Sequence, residues 1–173
     1  MNKYAFLFLI FLLVIISPAT YGQRVVRNEQ FKFELKLPDS LIARNEFDDE
    51  SDTVSVYYDP TPGVVLMISG RKSLYKDINS YLDCSKQGLE KQLQEFQGDS
   101  TLQLVSCNKS AYYPDKSVVL HFETAAYSPQ LTRCIIYFFH YKKKEVQFFF
   151  LYNKANKESL SYIDKVMQSL VLL

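Results

Sequence analysis

"RCIIYFFHYKKKEVQFFFLYN", residues 133–153, sets two intensely apolar runs around three consecutive lysines. In the first run both sets of alternate positions are apolar: Ile135, Tyr137 and Phe139 on one side, Cys134, Ile136 and Phe138 on the other. A strand that is apolar on both faces must be covered on both, which places it in the interior of a sheet. Phe, Tyr and Ile favour strands over helices. Each run is far shorter than the roughly 20 residues of a membrane-spanning helix. The charged turn makes the pair a hairpin, and the reading is core. A transmembrane barrel would need further hairpins and a polar lumen face.

The neighbouring segments supply candidate partners. "FKFELKLP", residues 31–38, alternates Phe31, Phe33, Leu35 and Leu37 with polar residues, the period of a half-buried strand. "TVSVYYDP" and "VVLMISGRK" are two more strands, separated by a turn rich in proline and glycine. The polar, acidic stretch "RNEFDDESD" reads as a solvated connection. Between 77 and 96 the period changes: Ile78, Leu82, Leu89, Leu93 and Phe96 share one face at helical spacing, and Gly98 ends the helix. Cys84 lies off that stripe. Four strands follow, "TLQLVSCNKSAYY", "SVVLHFETAAY", "LTRCIIYFFHY" and "EVQFFFLYN", and a last helix carries Leu160, Ile163, Val166, Met167 and Leu170 on one face. Three strands, a helix, four strands and a helix predict an α+β fold. Its largely antiparallel sheet of about six or seven strands is covered by helices on both faces.

The N-terminus, "MNKYAFLFLIFLLVIISPATYGQ", has the layout of a secretory signal peptide: one cation at Lys3, an apolar stretch over 4–16, then small residues, with cleavage expected after Gly22. The mature chain, 23–173, is then a single soluble domain, secreted or periplasmic. Cys84 is the first cysteine, so none sits at the new N-terminus to carry a lipid. Lys3 is the leader's only charged residue, so a whole chain of 20 basic and 19 acidic residues leaves a balanced mature domain. Such a balance supplies no field for nucleic acid or an anionic membrane.

Three cysteines, Cys84, Cys107 and Cys134, leave at least one without an intrachain partner, and no CxxC spacing marks a redox site. Export permits a disulfide. Cys107 with Cys134 is the expected pair, since both lie in strands while Cys84 looks peripheral.

Chemistry-bearing clusters are sparse. His121 and His140 are the only histidines, each inside a predicted strand. Cys134 and His140 share a face, but about 20 Å of strand parts them, too far for one metal ion. Cys134 meets His121 only if the hairpin between them pairs favourably. Asp48, Glu50 and Asp52 alternate like the opening of a calcium loop, but Thr53 and Asp59 stand where that loop needs glycine and glutamate. There is no GxSxG nucleophile and no glycine-rich phosphate loop. No metal, cofactor or catalytic residue is expected. "NKS" from Asn108 is a glycosylation site only in a eukaryotic host and if exposed.

Candidate surface contacts are the pairs Tyr57–Tyr58 and Tyr112–Tyr113, since adjacent strand residues point to opposite faces and one of each pair can be exposed. Lys142, Lys143 and Lys144 are a further candidate, although lysines at a hairpin tip also keep an aromatic hairpin soluble.

The segments "FKFELKLPDSL", "ISGRKSLYKDINSYL" and "YIDKVMQSLVL" resemble the PsbP-like family, which includes the extrinsic photosystem protein, a Ran-binding import factor and the envelope protein DcrB. That resemblance implies a fold and a bias toward binding other proteins, and carries no catalytic set. The expected role is a noncatalytic binding or accessory protein with a protein or glycan partner. The alternative is a carrier of a small apolar ligand, because 13 Phe and 13 Tyr are enough to line a pocket. An enzyme, with its site near His121, is the third reading.

Overall fold

The computed structural model describes residues 22–47, 54–60, 63–73, 77–84, 86–127, 129–141 and 144–173. The leader up to Tyr21, the acidic stretch 48–53 and the lysines Lys142 and Lys143 lie outside the described residues.

Among the described residues, ten strands and three helices follow one another: β1 (Gln23–Asn28), β2 (Phe33–Pro38), β3 (Ile42–Phe47), β4 (Val54–Asp59), β5 (Val64–Lys72), α1 (Asn79–Asp83), α2 (Lys86–Gln97), β6 (Gln103–Lys109), β7 (Ser117–Glu123), β8 (Arg133–Tyr141), β9 (Lys144–Tyr152), α3 (Lys157–Gln168) and β10 (Val171–Leu172). Seven form one antiparallel sheet in the order β3-β4-β5-β9-β8-β7-β6. The phenylalanine run of β9 is its middle strand, flanked by β5 and β8, with Phe148 opposite both Ile68 and Tyr137. From Glu145 to Tyr152 every residue of β9 is buried.

Each face of this sheet has its own cover. On one face Phe148, Phe150, Tyr137 and Phe139 pack under Phe33, Leu35 and Leu37 of β2 and under Ile163, Val166 and Met167 of α3. On the other, Phe149, Leu151, Phe138, Leu120 and Phe122 pack under Tyr81 of α1 and Leu89 and Leu93 of α2. Rings meet edge to face, with centroids 5.3 Å apart for Phe33–Phe148 and 5.6 Å for Phe139–Phe148. Gly70 is where the ring of Phe31 lies flat against β5: a Cβ there would come within 2.3 Å of it.

Three details differ from the sequence-based expectation. β2 is not in the main sheet; it is the middle of a separate three-stranded sheet, β1-β2-β10, that shares the covering of one face with α3. Its burial alternates between inward Phe33, Leu35 and Leu37 and outward Lys36. That one-sided pattern suits an outer layer, whereas a central strand is apolar on both sides. The seventh strand of the main sheet is instead β3, an edge strand drawn partly from the stretch read as a solvated connection. The helix expected over 77–96 is two helices, because Cys84 adopts an extended backbone (φ −64°, ψ 140°) between them. In α3 the inward position is Ser159, fully buried, while Leu160 is 49% exposed.

β2 has only Val171 and Leu172 of β10 on its second edge. Beyond them the Ser169 hydroxyl takes the place of a strand, accepting from the Lys36 N–H and lying 3.0 Å from the Lys36 carbonyl.

The turn from α2 into β6 is fastened by Asp99, 4% exposed. Its carboxylate accepts from the Thr101 N–H (2.8 Å), the Thr101 hydroxyl (2.6 Å) and the Thr124 hydroxyl (2.6 Å). Burial pushes the Asp99 pKa up, and the bonds from Thr101 and Thr124 more than offset it, so the net shift is downward. A depressed folded pKa contributes stability above the unfolded value and loses it as pH falls through the folded one. Asp99→Ala is therefore expected to cost about 2 kcal/mol at pH 7. In urea melts the gap to the parent should narrow below about pH 4, where the unfolded carboxyl titrates.

Candidate functional site

The stripe of α3 beside its buried one presents Glu158, Ser161, Tyr162 and Lys165, spaced three and four residues apart so that they share a face. That stripe forms one wall of a cleft of about 570 Å³. The opposite wall is Gln23, Lys36 and Pro38 from β1 and β2, and the floor includes Ser40 and Asp59, the last residue of β4. α3 is held at this angle by its buried residues and by the Asn156 side chain, which accepts from the Glu158 N–H at 2.9 Å. Glu158 in the first turn and Lys165 in the last both suit the helix dipole.

Two side chains at the floor are unusual. Asp59 is only 1% exposed. Tyr162 Oη is shut off from water and closes no hydrogen bond of normal geometry among the described residues. Burial raises the Tyr162 pKa well above the tyrosine range; Ser40 opposes the shift and the neighbouring Asp59 adds to it. Tyr162 thus remains a protonated donor. With Lys36, Lys165, Glu158 and Asp59 in its lining, the cleft offers both signs of charge, together with the hydroxyls of Ser40, Ser161 and Ser169.

Of the residues expected from sequence to make surface contacts, Tyr57, Tyr58, Tyr112, Tyr113 and Lys144 are among the described residues, and Lys142 and Lys143 lie outside them. Tyr57 is 2% exposed and packs in the core, with the Arg24 guanidinium 5.0 Å from its ring centre. Tyr58 is half-buried on the other face of β4. Tyr112 and Tyr113 are half-buried on the β6–β7 connection, against Tyr137 and Phe139. Their hydroxyls are taken up by the C-terminal segment: Tyr112 donates to Asp164 at 2.9 Å and Tyr113 to the Leu170 carbonyl at 3.2 Å. Lys144 donates to the Gln30 carbonyl and lies over the Phe31 ring. Tyr57, Tyr112, Tyr113 and Lys144 thus brace the fold through neighbours that no local pattern reveals.

The expected Cys107–Cys134 bond is also ruled out by topology. β7 lies between their strands, with Cys107 opposite Leu120 and Cys134 opposite Phe122. Two strand spacings put them roughly 10 Å apart, beyond the ~7 Å Cα limit of a disulfide. His121 is opposite Ile135 and points away from Cys134 to the other face. Burial, and then the charge of Arg133, lower the His121 pKa. His140 is bonded through Nδ1 to the Ser73 hydroxyl at 2.9 Å. Among the described residues no cluster of three or more His, Cys, Asp or Glu is placed to hold a metal. The aromatic residues pack against one another in the core, and the cleft lining mixes polar residues with Pro38, Tyr162 and Val166.

No family model matches the chain, and no curated protein matches it. Solved structures do. The solution structure of cyanobacterial PsbP from Synechocystis is similar over 91% of this chain and 96% of that one, with a TM-score of 0.65 and 11% identity. The fold is PsbP-like. The Ran-binding protein Mog1p of Saccharomyces cerevisiae is similar over 88% of this chain and 96% of its own, with a TM-score of 0.55 and 8% identity. A Pseudomonas aeruginosa protein of unknown function is similar over 88% and 98%, with a TM-score of 0.53 and 14% identity. At these identities the likeness concerns the PsbP-like fold alone, and it bears out the resemblance carried by residues 31–41, 68–82 and 162–172.

Proposed function

We propose that the chain is an exported, noncatalytic accessory protein, secreted or periplasmic, that engages a protein partner through the cleft beside α3. The observation that carries this reading is the cleft itself: Glu158, Ser161, Tyr162 and Lys165 of α3 stand with Gln23, Lys36 and Pro38 around about 570 Å³, with ammonium, carboxylate and hydroxyl groups in the lining. A volume near 570 Å³ accommodates one or two side chains of a partner. A Ran-binding protein of the same fold supports a protein partner over a glycan.

Two measurements test it. A photo-crosslinking residue at Ser161, in the cleft, should give a discrete adduct in envelope extract. The same residue at Val105, exposed on the far edge of the main sheet, should not. Lys165→Glu reverses a charge at an exposed position of the cleft wall, so it should change stability by less than about 0.5 kcal/mol while weakening the Ser161 adduct. An adduct that is equal at both positions, or untouched by Lys165→Glu, would count against the cleft.

A further inference from the structure

We infer that Cys84 and Cys107 form an intrachain disulfide under oxidising conditions, tying the end of α1 to the edge strand β6. Cys84 is the residue at which α1 stops and the chain turns extended toward α2. α1 approaches β6 to within 8 Å, Cα to Cα. A register shift between Leu104 and Ser106 sets Cys107 opposite Leu120, on the face of the sheet that α1 and α2 cover. Both thiols are half-buried and pack against the same apolar cluster, around Leu104, Leu120 and Tyr81. Cys134 is 1% exposed and belongs to a strand two positions away, so it remains a thiol.

Burial, with the nearby charge of Cys84 added, pushes the Cys107 thiol above its usual range. One of the two thiols loses its proton and attacks one sulfur of a disulfide oxidant, either a thiol-oxidase disulfide or glutathione disulfide, and releases the first oxidant thiolate. The other thiol then loses its proton and attacks the protein sulfur of that mixed disulfide, expelling the second thiolate. Two protons and two electrons leave the protein, and one oxidant disulfide becomes two thiols. The bond encloses α2 in a covalent loop and secures the helical layer to the sheet edge.

The geometry and the cellular occurrence are tested separately, because occurrence in cells rests on the export reading and the geometry does not. Purified protein equilibrated in glutathione redox buffers should lose about 2 Da and yield one linked pair of peptides, carrying Cys84 and Cys107. Cys84→Ser and Cys107→Ser should each abolish the link, and Cys134→Ser should preserve it. A link through Cys134, or only mixed glutathione adducts across all buffers, overturns the inference. Acid-trapped thiols in cells should show the bond when the leader is present and both thiols reduced when it is deleted. A bond that forms in vitro but stays reduced behind an intact leader supports the pairing and overturns export.

Discussion

Phe148→Ala is expected to lower unfolding stability by about 4 kcal/mol, the upper part of the range for removing a buried aromatic. Phe148 is fully buried in the middle strand of the seven-stranded sheet. It takes Phe33 and Phe139 edge to face from two different layers, so its loss leaves a cavity between the main sheet and the small one. Neither neighbour can move in without abandoning its own strand position. A matched truncation at Leu160, 49% exposed on α3, should change stability by less than about 0.5 kcal/mol. Urea melts of the two variants against the parent check both values. A loss at Phe148 no larger than at Leu160 would mean that the two sheets do not pack as described.

Glu145→Ala is expected to cost about 3 kcal/mol, because it dismantles a buried polar network. The Glu145 carboxyl is fully buried on the helix-covered face of β9. It accepts from the Tyr81 hydroxyl of α1, and Gln147 Nε2 approaches its other oxygen at 3.3 Å. Gln147 Oε1, on the same strand, has no hydrogen-bond partner among the described residues. Losing Glu145 removes the acceptor of the Tyr81 hydroxyl and of Gln147 Nε2 inside the core. Tyr81→Phe should cost less, about 2 kcal/mol, since the Tyr81 ring still packs at 5.2 Å from Phe138. The double variant should cost less than the sum, because both changes break the same bond. Strict additivity in a double-mutant cycle would rule out that coupling. The network also explains why α1 docks in one position: apolar contact alone is non-directional.

Legibility in the sequence followed the range of the signal. The interior hairpin could be read because its apolar residues occupy both faces over a continuous run. α2 and α3 could be read because 3.6-residue periodicity is local, although Leu160 sits one position off the buried stripe. β1 and β3 were missed, being edge strands with little alternation in their sequence to show. β2 was recognised as a strand but placed in the wrong layer, because alternation reports one buried face and not which sheet provides it. The cleft had almost no signal. Tyr162 and Asp59 are more than a hundred residues apart, and only their joint burial marks them. The one available clue was a tyrosine beside, rather than on, the apolar stripe of α3.

By itself the sequence determined that the apolar runs on either side of the lysines in 133–153 are interior strands, and that helices cover a largely antiparallel sheet. These are properties of composition and of short-range period, which a linear chain displays openly. Only the tertiary structure decided that Cys107 neighbours Cys84 and not Cys134, that Tyr112 and Tyr113 brace α3, and that Tyr162 meets Asp59. Those outcomes depend on strand order, register and the stacking of layers, which bring together residues that share no local pattern.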